Sequence, residues 1–392
     1  MRLALSVQTK DAVDTANPGP GFEMLKRAGF DFVDFSLNAY MKNSDIYKGK
    51  ISDFFSRDIE ELKNYFAPMR EAAKKAGIGF GQMHMPYPCY VAGIPEEVND
   101  FLREEMAVKS LQLGAFMHCP YIVIHGFKLK SVYGSEEREW EKTREFLDYL
   151  AGIAGDSGMV MCLENLYSGS PGGLVEGPCT NAHILAERID AFNEKYGKEL
   201  LGACFDTGHA KLVGLDVEEF LTRLGKRLKV LHIHDNDGIS DLHQLPFTFT
   251  RTRDNLTSTA WRGFARGLAA AGFDGNLSFE TAPVLSSFPG EMKEDALSFI
   301  GCIGRYFRQE ILKEREGLRE REGHSESQAA EGTEISLKKQ LKNTSGNDLE
   351  NSPSLPKYML LPENKVRMTP ELSELKIPMA DGRVMTIPAP DK

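Results

Sequence analysis

The chain has 392 residues, 41% hydrophobic and 27% charged, and its formal net charge is −10 at pH 7. This balance is typical of a globular protein and excludes a disordered chain. The acidic net charge gives no sign of a basic surface that would bind nucleic acid. No apolar run is long enough to span a bilayer, and the N-terminus lacks a signal-peptide cleavage site, so we expect a soluble cytoplasmic protein with no membrane partner.

Short β-rich apolar runs alternate with longer amphipathic segments from the N-terminus to about residue 310. The predicted strands are 3–7, 32–36, 78–84, 121–125, 160–164, 201–206, 230–234 and 277–280. Helical patterns between them include 53–76, 96–115, 135–154, 217–228 and 261–271. Such alternation predicts parallel strands joined by right-handed crossovers, and eight units predict an α/β fold, a (β/α)8 TIM barrel. An open doubly wound sheet is the alternative, but its Gly-rich fingerprint is absent.

The composition changes near Lys313, where polar and charged residues replace the large apolar ones. We therefore assign residues 1–312 to the barrel and 313–355 to a charged, flexible linker that continues the last helix. Residues 356–392 regain Leu, Met, Ile and Pro and form a C-terminal tail. Two alternatives stay open for this partly flexible extension: docking on the barrel or a neighbouring subunit, or poor order.

Polar side chains stand at the ends of six consecutive predicted strands. They are His84, His125, Glu164, Asp206, His232 with His234, and Glu280, and three further candidates, His209, Asp241 and His243, lie in the segments that follow. The carboxyl ends of barrel strands converge on one mouth, so these groups are expected to meet there. Imidazoles and carboxylates in one pocket are costly to bury unless they are paired or bind a cation, which predicts a divalent metal site.

Not every histidine belongs to this set. His232 and His234 are two apart on one strand and point to the same side, so one can bind the metal while the other contacts substrate or supports the site. His118, His183 and His324 fall in predicted helix, loop or tail positions, and we expect them to take no part.

Several motifs together resemble the xylose-isomerase-like TIM barrel superfamily, which includes sugar phosphate isomerases and epimerases and the class II apurinic/apyrimidinic endonucleases. The motifs are Glu164-Asn165, Asp206-Thr207-Gly208-His209, His232-Ile233-His234-Asp235, Asp241-Leu242-His243 and the run 272–280. The resemblance covers roughly residues 1–308. It implies one divalent metal, Mn²⁺, Co²⁺, Mg²⁺ or Zn²⁺, held by Glu164, Asp206, His232 and Glu280.

The nuclease branch of the superfamily carries three zinc ions. The resemblance places its additional ligands on His84, His125, His209, Asp241 and His243, all of which are present. One departure concerns the loop after Asp-x-His, where relatives usually have Gly-Glu-Gly and this chain has residues 244–250, Gln-Leu-Pro-Phe-Thr-Phe-Thr. Because this loop covers the site, the difference leaves the identity of the substrate undetermined.

The resemblance implies a metal-dependent isomerase or epimerase acting on a small sugar, polyol, sugar phosphate or inositol derivative. Glu164 and Glu280 would serve as acid and base around a metal-stabilised enediolate, and His209 and His234 would hold substrate oxygens. Alternatives are a keto-sugar dehydratase or lyase, a zinc-dependent apurinic/apyrimidinic endonuclease, and a non-catalytic sugar-binding barrel. A nucleic-acid partner is not expected, because the strand-end loops offer only Lys128, Lys130, Arg251, Arg253 and Arg262. Whether the chain forms a homo-oligomer is left undecided by the sequence.

Overall fold

The computed structural model describes residues 3–129, 134–249, 261–343, 374–378 and 384–388, with side chains up to residue 321. The chain divides into two compact units, Met1–Glu326 and Ser327–Lys392. The described strands are β1 (Leu5–Gln8), β2 (Phe32–Ser36), β3 (Gly79–His84), β4 (Tyr121–His125), β5 (Val160–Glu164), β6 (Tyr167–Ser170), β7 (Gly173–Glu176), β8 (Leu201–Asp206), β9 (Leu228–His232), β10 (Leu277–Phe279), β11 (Glu374–Pro378) and β12 (Val384–Pro388).

The described α-helices are α1 (Pro18–Ala28), α2 (Asn43–Ile46), α3 (Ile59–Ala76), α4 (Glu96–Phe101), α5 (Val108–Phe116), α6 (Glu136–Ser157), α7 (Ala182–Tyr196), α8 (Thr207–Val213), α9 (Val217–Leu224), α10 (Trp261–Ala270), α11 (Ala282–Ser287) and α12 (Lys293–Asn343). A π-helical segment, Leu102–Ala107, joins α4 to α5. In the part of the chain that the structure describes, no helix is long and apolar enough to cross a membrane.

Eight strands of the first unit form one parallel sheet in the order β10-β1-β2-β3-β4-β5-β8-β9. Its two ends meet through a parallel bridge between Ile233 and Phe279, where Ile233 N donates to Ser278 O at 2.9 Å. The predicted TIM barrel is therefore confirmed. An antiparallel hairpin, β6 with β7, is inserted after β5, and in the second unit β11 pairs with β12 in the same way.

Most predicted strands agree with the structure, and the differences fall at element ends. The seventh predicted strand, 230–234, is β9, which ends at His232, while Ile233 continues as the bridge to β10. The predicted helix 53–76 corresponds to α3 and begins only at Ile59, because the carboxylate of Asp58 accepts a hydrogen bond from Glu60 N at 2.8 Å and caps the helix. The predicted boundary at residue 312 and the docking of residues 356–392 stay predictions, and most of that tail lies outside the described residues.

Strand periodicity divides the core into two parts. Outward-facing residues such as Phe205 pack against the helices, and full burial of such a side chain contributes about 1.5–3 kcal/mol. Inside the barrel, a separate apolar cluster lies below the mouth and consists of Val123, Cys162, Cys204 and Val230. Each member precedes a strand-end polar residue by two positions, so both point inward. The cluster therefore forms an apolar floor under the site.

Candidate metal centre at the barrel mouth

The predicted site residues meet where the carboxyl ends of the strands converge. His84, His125, Glu164, Asp206 and His232 are the last residues of β3, β4, β5, β8 and β9, and Glu280 follows β10. His209 lies in the first turn of α8, His234 follows β9, and Asp241 and His243 lie on the next loop. All ten predicted residues are thus brought to one end of the barrel.

Four of them make up what we call the central group, namely Glu164, Asp206, His232 and Glu280. Each offers one ligand-type atom, and these atoms all lie within 4.8 Å of one another. His232 Nδ1 is 2.8 Å from Glu164 Oε1, 3.4 Å from Glu280 Oε2 and 3.9 Å from Asp206 Oδ2. Three carboxylates therefore surround one imidazole nitrogen.

Glu164 also belongs to a second cluster, the β3–β5 group of His84, His125 and Glu164. Its Oε2 is 3.0 Å from His125 Nε2 and 3.4 Å from His84 Nε2, and the two imidazole nitrogens are 3.2 Å apart. Glu164 is only 1% exposed. Its two oxygens thus face two different sets of histidines.

The third cluster, the loop group, contains His234, Asp241 and His243. Asp241 Oδ2 is 3.2 Å from His243 Nε2 and 3.3 Å from Nε2 of the neighbouring His209. The ring of His234 stacks on that of His243 with their centroids 4.1 Å apart. His234 is fully buried, and its Nε2 lies 2.9 Å from Asp206 Oδ2, which connects the loop group to the central group.

The Asp-Thr-Gly-His run folds tightly around this connection. Asp206 caps α8, and its Oδ1 accepts a hydrogen bond from His209 N at 2.6 Å. The Thr207 hydroxyl donates to His234 O at 2.7 Å and accepts from His234 N at 2.9 Å. Only glycine fits at position 208, because an added Cβ would lie 1.9 Å from the His234 ring. Each residue of the motif therefore has a defined structural task.

The loop that carries Asp241 and His243 is held by a buried ion pair. Lys211 Nζ is 2.7 Å from Asp235 Oδ1, with side-chain exposures of 3% and 0%. Asp235 Oδ2 accepts a hydrogen bond from Phe249 N at 3.1 Å, and the backbones of Asp235 and Gln244 exchange two hydrogen bonds of 2.8 Å. In this chain these contacts shape the loop where relatives usually have Gly-Glu-Gly. Thr250, the last residue of the divergent run, lies outside the described residues.

The electrostatic environment of the site shifts the pKa values of its carboxylates and histidines. Burial raises the pKa of Glu164, but His232 and the adjacent histidines more than offset this and hold it well below its usual range. Burial likewise lowers the pKa of His209, whereas Asp206 and Asp241 outweigh it and raise that pKa to about 9. His125, for which burial dominates, has its pKa lowered to about 4. Without a cation, the site is a network of carboxylates and partly protonated imidazoles.

The residues present fit a divalent cation. The buried oxygens Glu164 Oε2 and Asp241 Oδ1 accept no hydrogen bond from any described residue. Unsatisfied buried carboxylate oxygens are costly, and so is the convergence of three carboxylates in the central group, and a cation would relieve both costs. Carboxylate oxygen and imidazole nitrogen are the donors that Mn²⁺, Co²⁺ and Zn²⁺ accept.

Two buried residues that the strand-end pattern did not single out support the central group. Gln8, the last residue of β1, donates through Nε2 to Glu280 Oε1 at 2.7 Å. Asp34, an inward-facing residue of β2, places Oδ2 at 3.4 Å from His232 Nε2 and at 3.2 Å from the amide nitrogen of Gln82. The strand-end rule could have identified Gln8, and a carboxylate within an apolar strand was the available signal for Asp34.

A cavity of about 430 Å³ opens above the central group. Tyr87 forms part of its wall and stacks on His125 with ring centroids 4.4 Å apart. Tyr167 lies edge-on to His209, with centroids 5.2 Å apart, and Lys128 completes this side. His209 lines the cavity, whereas His118 and His183 lie away from it, and the side chain of His324 is outside the described residues.

A family model for the xylose isomerase-like TIM barrel matches residues 22–300. This match spans well over half of the sequence, so the chain belongs to the xylose isomerase-like TIM barrel family, and the predicted resemblance is confirmed.

Solved structures with the same fold include sugar epimerases. The 3-keto-D-glucoside 4-epimerase from E. coli is 16% identical, covers 76% of this chain and 99% of its own, and gives a TM-score of 0.54. D-psicose 3-epimerase, solved in the presence of D-fructose, is 15% identical with coverages of 78% and 99% and a TM-score of 0.53. At such identities the likeness concerns the fold alone.

A curated relative is closer in sequence. The uncharacterized protein y4fM of Sinorhizobium fredii is 28% identical over 177 residues, which are 45% of this chain and 52% of that protein. The chain thus matches about half the length of this relative.

Proposed function

We propose that this chain is a metal-dependent isomerase or epimerase. Its substrate is a small keto-sugar, a keto-sugar phosphate or an inositol-derived ketone. The observation that carries the proposal is the central group, three carboxylates and one imidazole whose ligand-type atoms lie within 4.8 Å of one another. The group lies beneath a cavity of about 430 Å³, a volume typical of small-molecule sites. Sugar epimerases with the same fold support the assignment.

Glu164, Asp206, His232 and Glu280 are the residues that would hold the cation, with Mn²⁺, Co²⁺, Mg²⁺ or Zn²⁺ as candidates. A bound divalent cation supplies Lewis acidity, which polarises a ketone oxygen and the adjacent hydroxyl and acidifies the C–H bond between them. The chain's own task is to present that C–H bond to a base above the apolar floor.

In this proposal Glu164 and Glu280 exchange protons with the substrate. They approach His232 Nδ1 from different strands, β5 and the end of β10, so a substrate above the imidazole would have a carboxylate at each side. Glu164, whose Oε1 lies 2.8 Å from His232 Nδ1, removes the proton as base. Glu280, oriented by Gln8, delivers a proton to the opposite face and so inverts the carbon, and proton exchange with solvent then restores both carboxyl groups for the next turnover.

The histidines share the remaining tasks. His209 lines the cavity and holds a substrate oxygen, while the fully buried His234 fixes Asp206 through a 2.9 Å contact. Elimination of water from the same deprotonated substrate would make the chain a keto-sugar dehydratase or lyase, and the identity of the sugar product distinguishes these outcomes.

A zinc-dependent apurinic/apyrimidinic endonuclease is the second candidate, and one observation favours it. Besides the central group, the β3–β5 group and the loop group each offer three metal-ligand atoms within 4.8 Å of one another. Three cations could activate water and neutralise a phosphodiester. The net charge of −10 weighs against DNA binding, and the basic residues Lys130, Arg251 and Arg253 lie outside the described residues.

Elemental analysis of protein purified without chelator separates the two candidates. The keto-sugar enzyme predicts about one divalent metal per chain, bound unchanged in His243→Ala and lost in His232→Ala. A value near three zinc ions, falling in His243→Ala, would move the nuclease to first place. His118→Ala, remote from the site, is the matched control. A cytoplasmic location and a homo-oligomer stay predictions.

A further inference from the structure

Lys128 stands on the wall of the mouth cavity, three residues beyond the end of β4. Among the described residues that line this cavity it is the only lysine or arginine, while Glu164, Asp241 and Glu280 supply negative charge. When a divalent cation neutralises those carboxylates, a neutral sugar offers no anionic partner to an ammonium at the rim of the cavity. The position of this lysine therefore calls for a physical reason.

The ammonium is held in place by contacts other than a direct ion pair. Lys128 Nζ donates a hydrogen bond to Tyr167 O and lies 5.2 Å from the centroid of the Tyr167 ring. Glu164, Glu139 and Asp241 attract the ammonium from longer range, but among the described residues no carboxylate forms an ion-pair contact with it. An ammonium has three N–H donors, so two remain for a ligand.

One of these carboxylates, Glu139, holds the backbone beside Lys128 rather than the ammonium itself. Glu139 Oε1 accepts hydrogen bonds from Leu129 N at 2.7 Å and from the Ser135 hydroxyl at 3.1 Å. It thereby fixes the backbone just after Lys128. Tyr167 is fixed as well, because it pairs with Glu176 in the hairpin of β6 and β7. The lysine thus projects from an ordered wall.

We infer that Lys128 binds an anionic substituent, a carboxylate or a phosphate, on the sugar that the central group converts. The substrate class is therefore a keto-sugar acid or a keto-sugar phosphate rather than a neutral ketose. The anionic end lies against Lys128 and Tyr167, and the ketone end lies over Glu164 and Glu280. This inference rests on the proposed function and deepens it.

Calorimetric binding to the metal-loaded full chain tests this inference with three sugars of one carbon skeleton: D-fructose, D-fructuronate and D-fructose 6-phosphate. At least one anionic sugar is expected to bind about 10-fold or more tightly than D-fructose, because that ratio corresponds to the free energy of one charge-assisted hydrogen bond. Lys128→Met should abolish this preference, and Lys128→Arg should retain part of it. Lys75→Met, an equal charge change at an exposed position of α3, should leave it unchanged.

The outcomes separate the inference from the proposed function. Preference for D-fructuronate identifies a carboxylate, and preference for D-fructose 6-phosphate identifies a phosphate. Equal binding of all three sugars, no binding of any, or a preference that survives in Lys128→Met overturns the inference. Tight, Lys128-dependent binding without any conversion of the sugar would leave the inference standing and overturn the proposed function. Thermal unfolding of each variant checks that the fold is intact.

Discussion

Replacement of Lys211 by methionine should destabilise the barrel strongly, although Lys211 lies outside the central group. The substitution keeps the length of the side chain but removes the ammonium from Asp235, whose side chain is 0% exposed. Asp235 retains the backbone donors Asn236 N at 2.9 Å and Phe249 N at 3.1 Å. A buried ion pair broken on one side costs about 3–5 kcal/mol, and these two remaining donors place the loss near the lower end, about 3 kcal/mol.

A second contribution comes from the loop backbone. Lys211 Nζ also donates to Asn236 O, and loss of that bond adds about 1 kcal/mol. The free energy of unfolding should thus fall by about 4 kcal/mol in Lys211→Met. In Lys211→Met/Asp235→Leu the unpaired carboxylate is gone as well, so the loss should be smaller than the sum of the two single losses.

Urea unfolding followed by tryptophan fluorescence measures these free energies. Trp261 packs in the barrel core with Phe307 at a centroid distance of 5.2 Å and reports on the first unit. Lys313→Met, which breaks an exposed pair with Glu310, is the control and should show no measurable change. A loss below about 1 kcal/mol in Lys211→Met would refute the reasoning that the pair is buried and sustains the loop.

Three further predictions concern the site. Glu280→Gln should abolish turnover of the keto-sugar while thermal unfolding stays near that of the wild type, and near-normal activity would exclude Glu280 as the proton donor. Asp34→Asn should weaken metal affinity by about 10–100-fold, because His232 loses the carboxylate that orients its ring, and titration with Co²⁺ followed by absorbance measures this. The metal-free chain should lose stability as the pH rises from 6.5 towards about 9, since Asp206 and Asp241 outweigh the effect of burial and raise the folded-state pKa of His209 to about 9. The stabilisation is complete below the unfolded-state pKa of His209 and disappears above its folded-state value, so thermal midpoints that stay constant between pH 6 and 10 would contradict this assignment.

The barrel was predictable from sequence because its strands carry two strong signals. Apolar runs such as 160–164 are continuous, as expected for strands buried on both faces, and six of the eight predicted strands end in a polar residue of the site. The ten candidate site residues could be grouped because strand ends in a barrel must converge. Where the prediction shifted, as at the end of β9, the backbone continues as an isolated bridge that sequence periodicity cannot distinguish from a strand.

The support around the site was harder to predict. The Lys211–Asp235 pair joins α8 to a segment 24 residues further along, and nothing in the local sequence marks the two as partners. Asp34 lies within an apolar run on β2, and its proximity to His232 depends on the barrel bringing β2 and β9 face to face. The hairpin of β6 and β7, which supplies Tyr167 to the cavity, is too short for a periodicity signal.

Solvent exchange provides the most direct test of the central claim that Glu164 and Glu280 move a proton at the carbon beside a ketone. The metal-loaded enzyme is incubated in D₂O with D-fructose, D-fructuronate or D-fructose 6-phosphate, and proton NMR follows the hydrogen next to the carbonyl. The account predicts deuterium incorporation at that carbon for at least one sugar, lost in both Glu164→Gln and Glu280→Gln. Absence of exchange with every sugar, together with cleavage of an abasic-site duplex by the same preparation, would contradict it.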